Sequence, residues 1–317
     1  MSTKVVKPLY LRGFVSGRLI PLEKNPGIRP IGIGEVSRRI VAKATISLLK
    51  PDLIEATAPL QTCAGIRGGI EASIHAMRRM YEEESTEAIL LVDASNAFNS
   101  LNRQAALHNL QYICPELSNF AKNLYSCNAE LFIAGSEDCI YSREGTIQGG
   151  PESMALYAAS TVPLVYPDLG RSEEPKRIFY ADDGAGAGKL DGLLQWWTQL
   201  QRDGPLLGYI PNPAKTWLIV KPGHMDRAKD MFPDVNLTEE GHKYLGSFIG
   251  NEDGTAQFMK GQVDEWCKDV DALVKVAETE PQLAFSAYLF GTSKRWQFVC
   301  RTTPNVSGTL QKLEEKI

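Results

Sequence analysis

Three carboxylates carry the chemistry this sequence is best equipped to do. Asp182 and Asp183 stand side by side in Arg177–Lys189, R-I-F-Y-A-D-D-G-A-G-A-G-K, and Asp93 ends the apolar run Ala88-Ile89-Leu90-Leu91-Val92. An acid at the exit of a buried strand is costly unless something pairs with it. Two strand-associated acidic positions roughly ninety residues apart suggest a split carboxylate site assembled on one sheet. Such a cluster suits two-metal phosphoryl transfer, in which divalent ions about 4 Å apart bridge an attacking hydroxyl and a leaving phosphate. Mg²⁺ takes much of its coordination from water and substrate phosphates, so few protein carboxylates suffice. Without metal the carboxylates would repel one another and their pKa values would rise. Taken alone, Asp-Asp-Gly is also the composition of an ordinary solvated turn.

Cations and flexible backbone stand where a polyanion would need them. Lys24 and Arg29 flank Asn25-Pro26-Gly27, a tight bend whose two cations could close on a triphosphate. Gly145-Thr146-Ile147-Gln148-Gly149-Gly150-Pro151 reads as a glycine-rich turn opening a helix to about Val165, with Pro151 in its first turn. Its amides and Gln148 would face an anion or a base. No Gly-Lys-Ser/Thr follows, so it is not a P-loop. Glu71 and His75 share a helical face, which reads as a solvated pair rather than a metal site.

The elements that must position these groups are legible from pattern. Ile178-Phe179-Tyr180 is a strand entering a hairpin turn at Asp182-Asp183-Gly184. Ala88–Val92 has the continuous apolar run of a fully buried strand. A helix follows over about Arg103–Leu110, with Asn99 and Ser100 as its expected caps. Helices are also expected over Val36–Leu49, stopped by Pro51, and over Ile70–Glu84, Glu116–Tyr125 and Leu193–Gln201. Trp196 and Trp197 in the last of these read as core. A hairpin is expected from Ala129–Ala134 and Cys139–Arg143, a strand at Thr216–Val220, and a short strand pair over Tyr244–Gly250. Residues 1–35 read as loop-rich and extended, with Pro8, Pro21, Pro26 and Pro30 breaking any long helix. The tail from Gly254 is helical in pattern and lacks a finished domain's stop signal, so the chain reads as a fragment.

Composition excludes several classes. With 317 residues and 43% hydrophobic content the chain can bury one large core or two smaller ones, so disorder, collagen and coiled coil are set aside. Met154–Tyr166 is too short and too interrupted to span a bilayer, so no membrane partner is expected. The N-terminus lacks a secretory apolar core. Six cysteines without a CxxC pair argue against a disulfide framework or a zinc site. An intracellular location, nuclear or cytoplasmic rather than secreted, fits best. The net charge of −4 hides an asymmetry: residues 1–50 carry ten Lys or Arg against two acids, a net of +8 that leaves −12 on the rest. A basic lobe on an acidic body suits a polyanion on one side and divalent cations on the other. A basic arm with solvated lysines is the plainer alternative.

Taken together, these blocks resemble the reverse transcriptases, most closely those of non-LTR (LINE-like) retrotransposons. Y-A-D-D at Tyr180–Asp183 resembles the family's catalytic hairpin, and D-A-S-N-A-F at Asp93–Phe98 its first metal-binding strand. T-I-Q-G-G-P at Thr146–Pro151 is similar to the turn and helix bordering nucleotide and template. N-P-A-K at Asn212–Lys215 and Y-L-G at Tyr244–Gly246 resemble the next two blocks. Upstream, Arg29–Arg39 and Gln61–His75 resemble the fingers segments. The blocks run in the family's order from about residue 18 to 250.

The resemblance implies an α+β right-hand polymerase: an antiparallel-sheet palm, a fingers lobe and a partial helical thumb. Fingers would span 1–87 and palm 88–250, with a fingers insertion at about 110–145. Residues 251–317 would begin an incomplete thumb or connection. The implied activity is RNA-directed DNA synthesis, extending a primer 3′-hydroxyl of DNA or RNA along an RNA template with dNTPs. Two Mg²⁺ ions, or Mn²⁺, would sit on Asp93, Asp182, Asp183 and the Ala94 carbonyl. Lys24 and Arg29 would hold the triphosphate, Gln148 and Gly149 would line the nucleotide pocket, and Lys215 would assist the leaving pyrophosphate. Phe98 would occupy the space of a ribose 2′-hydroxyl. Two departures stand out: Gly150 replaces a frequent Asp, and Asn96 takes an often charged position. The alternatives are an RNA-dependent RNA polymerase, against which Phe98 speaks, and an inactive, co-opted nucleic-acid-binding domain. No endonuclease or RNase H segment is visible.

Overall fold

The computed structural model describes residues 4–24, 27–166 and 174–317. Asn25 and Pro26 of the expected bend lie outside the described residues. Eleven strands are described: β1 (Gly17–Glu23), β2 (Ile28–Gly34), β3 (Ala88–Val92), β4 (Ala129–Ile133), β5 (Cys139–Ser142), β6 (Lys176–Tyr180), β7 (Asp183–Gly188), β8 (Trp217–Val220), β9 (Asn236–Thr238), β10 (Gly241–Tyr244) and β11 (Ser247–Gly250).

The central sheet has the order β6-β7-β3-β8-β9, antiparallel except for the β8–β9 edge. All five residues of β3 are buried, because helices cover both faces of the sheet. Leu90 and Val92 pack with Leu218 and Val220 against Leu193 and Trp196 of the helix Leu190–Leu207. Ile89 and Leu91 turn the other way, with Ile178 and Ile219, onto Ile74 and Met77 of the helix Gly69–Glu82. This is the period-two alternation of a strand with apolar groups on both sides.

The small residues of β7 let the tryptophan helix approach. A Cβ on Gly186 would lie 2.4 Å from Cζ3 of Trp196, a side chain with no exposed surface. Gly186→Val should therefore cost about 1–3 kcal/mol through overpacking. Urea denaturation would show it as a lower midpoint with an unchanged slope. A stability equal to the parent's would mean that the sheet and helix are free to separate.

The N-terminal region is more ordered than its prolines suggest. Pro8 begins the helix Pro8–Val15, where a missing amide costs nothing. Pro21 and Pro30 face each other across the β1–β2 hairpin, so each ring stands opposite a partner that also donates nothing to the ladder. β1 also pairs in parallel with β4, giving a four-stranded sheet β2-β1-β4-β5. Leu19, Leu131, Leu117, Leu124 and Ile147 form the core beneath it. Elsewhere the differences are local. Pro51 lies in the first turn of a new helix, Lys50–Thr57, after the helix Val36–Leu48 has ended. The helix after the glycine-rich turn starts at Ser153, two residues beyond Pro151, and breaks at Thr161 before Val162–Val165.

The C-terminal helices form their own cluster. The helix Glu252–Ala277 buries Met259, Val263 and Trp266 against Val299 and Leu313. Among the described residues no helix is long and apolar enough to cross a membrane.

Candidate active site

The carboxylates are brought together by register. β3 and β7 pair with Val92 opposite Gly184, so the next step along both strands sets Asp93 opposite Asp183. β6 and β7 join through a two-residue turn, with Tyr180 paired to Asp183. The turn residues are thus Ala181 and Asp182, two positions earlier than an Asp183-Gly184 turn, and Gly184 lies inside β7 opposite Phe179. Asp182 stands at the turn and Asp183 at the strand's first position.

Ala181 occupies the left-handed region, with φ 56°, which a residue bearing a Cβ rarely adopts. Gln61 holds it there. The fully buried Gln61 side chain accepts from the Ala181 amide at 2.9 Å and donates to the Ala181 carbonyl at 3.0 Å. Tyr209 adds a bond from its hydroxyl to the Asp182 carbonyl at 3.0 Å. Gln61→Leu should cost about 1–3 kcal/mol for each backbone group left unpaired. The same variant should impair whatever chemistry Asp182 performs. Thermal melting with an activity assay checks this, and a wild-type profile in both would remove Gln61 from the account.

Asp93, Asp182 and Asp183 line a cleft of about 280 Å³ together with Lys24, Arg29, Ala94, Phe98, Gln148 and Lys215. Nine of the ten residues singled out from sequence therefore converge on one cavity. Gly149 does not line it. Its carbonyl accepts from Arg39 at 2.8 Å, and its φ of +108° places its Cα against the Gly32 carbonyl, 2.7 Å from where a Cβ would stand. Gly149 is thus part of the joint between β2 and the glycine-rich turn, which the Gly32 amide also bonds through the Gln148 carbonyl at 2.8 Å.

Capping does not account for Asp93. The helix Arg103–Ile113 is capped by Asn102, whose side chain accepts from the Ala105 amide. Asn99 and Ser100, the expected caps, instead bond Asn96 and the Gly208 carbonyl. Asn96 itself has φ 52°, a conformation to which asparagine is suited.

Electrostatics mark the cluster as unsatisfied. Asp183 is exposed to solvent on one side, yet the cleft walls exclude enough water to push its carboxyl up to about 7, with repulsion from Asp182 and then Asp93 adding to the effect. Removal from water also raises Asp182, and so does Asp93, while its own amide, Arg29 and Lys24 oppose the rise. Among the described residues no side-chain cation forms an ion pair with these carboxylates. Nor do three or more His, Cys, Asp or Glu side chains form a ready-made metal cage there. The donors are hard oxygens, so they fit a cation of the Mg²⁺ or Mn²⁺ type whose remaining ligands are carbonyl, water and phosphate.

A larger recess, of about 700 Å³, lies beside Arg78, Tyr81, Lys221 and Asn251. Its cations are already committed, Arg78 to the Thr302 and Phe248 carbonyls and Lys221 to the Glu83 carbonyl. The uncompensated charge is in the smaller cleft, and the candidate site is there.

Sequence reading passed over Gln61, Tyr209, Tyr157 and the buried pair Arg38–Glu152. Gln61 lies within one of the resemblance blocks, but nothing local reveals that its amide reaches Ala181.

The chain has the right-hand polymerase fold. Three solved structures share it. A C-terminally truncated apo telomerase from Candida tropicalis is 14% identical, with a TM-score of 0.50 over 70% of this chain and 52% of that one. Apo telomerase from Candida tropicalis is 11% identical, with a TM-score of 0.55 over 78% of this chain and 49% of that one. Telomerase from Candida albicans in complex with a TWJ fragment of telomeric RNA is 11% identical, with a TM-score of 0.51 over 95% and 57%. The chain spans about half the length of these structures. At such identities the likeness is one of fold alone. No family model and no curated protein matches the sequence.

Proposed function

We propose that this chain is an RNA-directed DNA polymerase of the type carried by non-LTR retrotransposons. It extends a primer 3′-hydroxyl along an RNA template with deoxynucleoside triphosphates. The observation that carries the reading is the register that sets Asp93 opposite Asp183, with Asp182 on the adjoining turn, in a cleft also lined by Lys24, Arg29, Gln148 and Phe98. The 57% coverage of a telomerase solved with an RNA fragment adds RNA as a partner class. Residues 1–87 serve as fingers, 88–250 as palm with the insertion near 110–145, and 251–317 as the start of a thumb.

Asp93, Asp182, Asp183 and the Ala94 carbonyl would hold two Mg²⁺ ions. Bound there, the ions would acidify the attacking hydroxyl and offset charge on the phosphates. Lys24 and Arg29 draw the triphosphate into the cleft and neutralise its oxygens. Gln148 borders the incoming nucleotide. Phe98 fills the space a ribose 2′-hydroxyl would take. The primer hydroxyl loses its proton to water as its oxygen bonds the α-phosphorus and the bond to pyrophosphate breaks, and the exposed Lys215 supplies a proton to the departing pyrophosphate. The +8 N-terminal segment makes nucleic-acid binding salt-dependent and largely indifferent to sequence.

Primer extension on an RNA template with Mg²⁺, offering deoxy- and ribonucleotides separately, tests the reading. The expected result is deoxynucleotide incorporation that the Asp182→Ala, Asp183→Ala double variant loses. Ribonucleotide incorporation would instead identify an RNA polymerase. Salt-sensitive RNA binding by a folded chain that extends nothing would identify a co-opted binder.

A further inference from the structure

Phe98 lines the cleft, and its ring is not free to swing away. It stacks on Tyr157, with ring centroids 4.5 Å apart and planes 23° apart. The backbone behind it is held as well: the Thr146 amide donates to the Phe98 carbonyl at 2.7 Å. Tyr157 lies in the helix Ser153–Ser160, is 1% exposed, and belongs to the core beneath the central sheet. A tyrosine this deep ordinarily brings its hydroxyl to a partner. This one does not; the oxygen has no hydrogen-bond partner among the described residues. What meets Phe98 is the ring, not the hydroxyl.

We propose that Tyr157 is a positioning residue for nucleotide selection, its ring propping Phe98 in the cleft so that a 2′-hydroxyl meets an immovable wall. The inference rests on the polymerase reading above. A side chain that excludes a single hydroxyl must resist displacement by less than its own width. An unsupported phenyl ring would rotate into whatever space opens behind it. Replacing Tyr157 by leucine removes the aromatic plane and leaves room behind Phe98, whereas phenylalanine keeps the plane and removes only the unpaired oxygen. A general packing defect would slow deoxy- and ribonucleotide addition together. Loss of the prop relaxes the choice between them.

The test is the ratio of kcat/KM for a deoxynucleotide to that for the ribonucleotide of the same base, measured on an RNA template for wild type, Tyr157→Phe and Tyr157→Leu. The ratio should fall by about tenfold in Tyr157→Leu and stay within about twofold of wild type in Tyr157→Phe. If the leucine variant does not fold, as judged by circular dichroism, Tyr157→Met supplies a second ring-free side chain and should show the same fall. An unchanged ratio in the ring-free variants, with both rates reduced in parallel, would overturn the proposal. So would a fall in Tyr157→Phe equal to that in Tyr157→Leu, which would put the effect in the hydroxyl. Wild type that extends with neither nucleotide would defeat the polymerase reading itself and the inference with it, a result distinct from the other two.

Discussion

Asp183→Asn should abolish primer extension and, in the metal-free chain, make the protein more stable at neutral pH. The two effects have one cause. Asp183 sits with Asp182 and Asp93 in a recess where exclusion of water and mutual repulsion push its carboxyl up to about 7. The folded chain therefore keeps a proton that the unfolded chain has already released at lower pH. Unfolding is favoured as pH rises from the ordinary carboxylate range to about 7, and the loss is complete above that. The raised Asp182 carboxyl acts in the same direction. Thermal melting in the presence of a chelator should give a lower melting temperature at pH 8 than at pH 5, and Asp183→Asn should flatten that dependence. Saturating Mg²⁺ should also restore stability at pH 8, because an ion that binds only the folded chain shifts the equilibrium toward it. Activity should fall by about 10³-fold or more, the scale on which a preorganised charge partner in phosphoryl transfer is lost. A variant that melts like the parent at both pH values, in chelator, would show that the carboxylates are not under strain. A variant that still extends primers would remove Asp183 from the chemistry.

That strain was legible in the sequence to the extent that it depends on local pattern. The apolar run before Asp93 and the aromatic run before Asp182 each announce a strand, and an acid at a strand end is conspicuous. Pattern also placed the tryptophans of the helix Leu190–Leu207 in the core, because helical spacing and bulk agree. It failed wherever the deciding contact is remote. The N-terminal segment looked loop-rich because its prolines break long helices, and nothing local reveals that Pro21 will face Pro30 or that β4, more than a hundred residues away, will pair with β1. The turn was displaced by two residues because Asp-Gly is the better local turn former, while Gln61, 120 residues from Ala181, supplies bonds that hold an alanine in the left-handed conformation. The Asn99 and Ser100 caps were good local choices that lost to Asn102, since both residues were already engaged by Asn96 and Gly208. Local propensity is a weak prior against tertiary bonds of this kind.

The same remoteness hides the buried pair that meets just beyond the glycine-rich turn. Arg38 and Glu152 lie 114 residues apart, 3% and 0% exposed, and meet at 2.8 Å. Arg38 also donates to the Val15 carbonyl at 2.9 Å, and Glu152 accepts from the Tyr125 hydroxyl at 3.3 Å. One Glu152 oxygen is left without a partner, so the pair is held in place by only part of its bonding capacity. Gly150, which stands where the resemblance leads to a frequent Asp, lies against this pair: a Cβ at that position would stand 2.7 Å from the Ser153 hydroxyl and 2.8 Å from the Glu152 carboxylate. An aspartate there would set a second acid against the first. Glu152→Ala should cost about 3–5 kcal/mol, because it strands a buried guanidinium rather than because the pair itself is strongly stabilising. The double replacement Arg38→Met, Glu152→Leu should recover most of that loss, since apolar groups of similar volume carry no desolvation penalty. If the pair also aligns Gln148 with the cation-bearing hairpin, the double variant should fold well yet show a raised KM for dNTP with kcat less affected. A double-mutant cycle by urea denaturation, run beside primer extension, separates the two roles. Additive losses would mean that the charges do not interact, whereas recovered stability with an unchanged KM would confine the pair to folding.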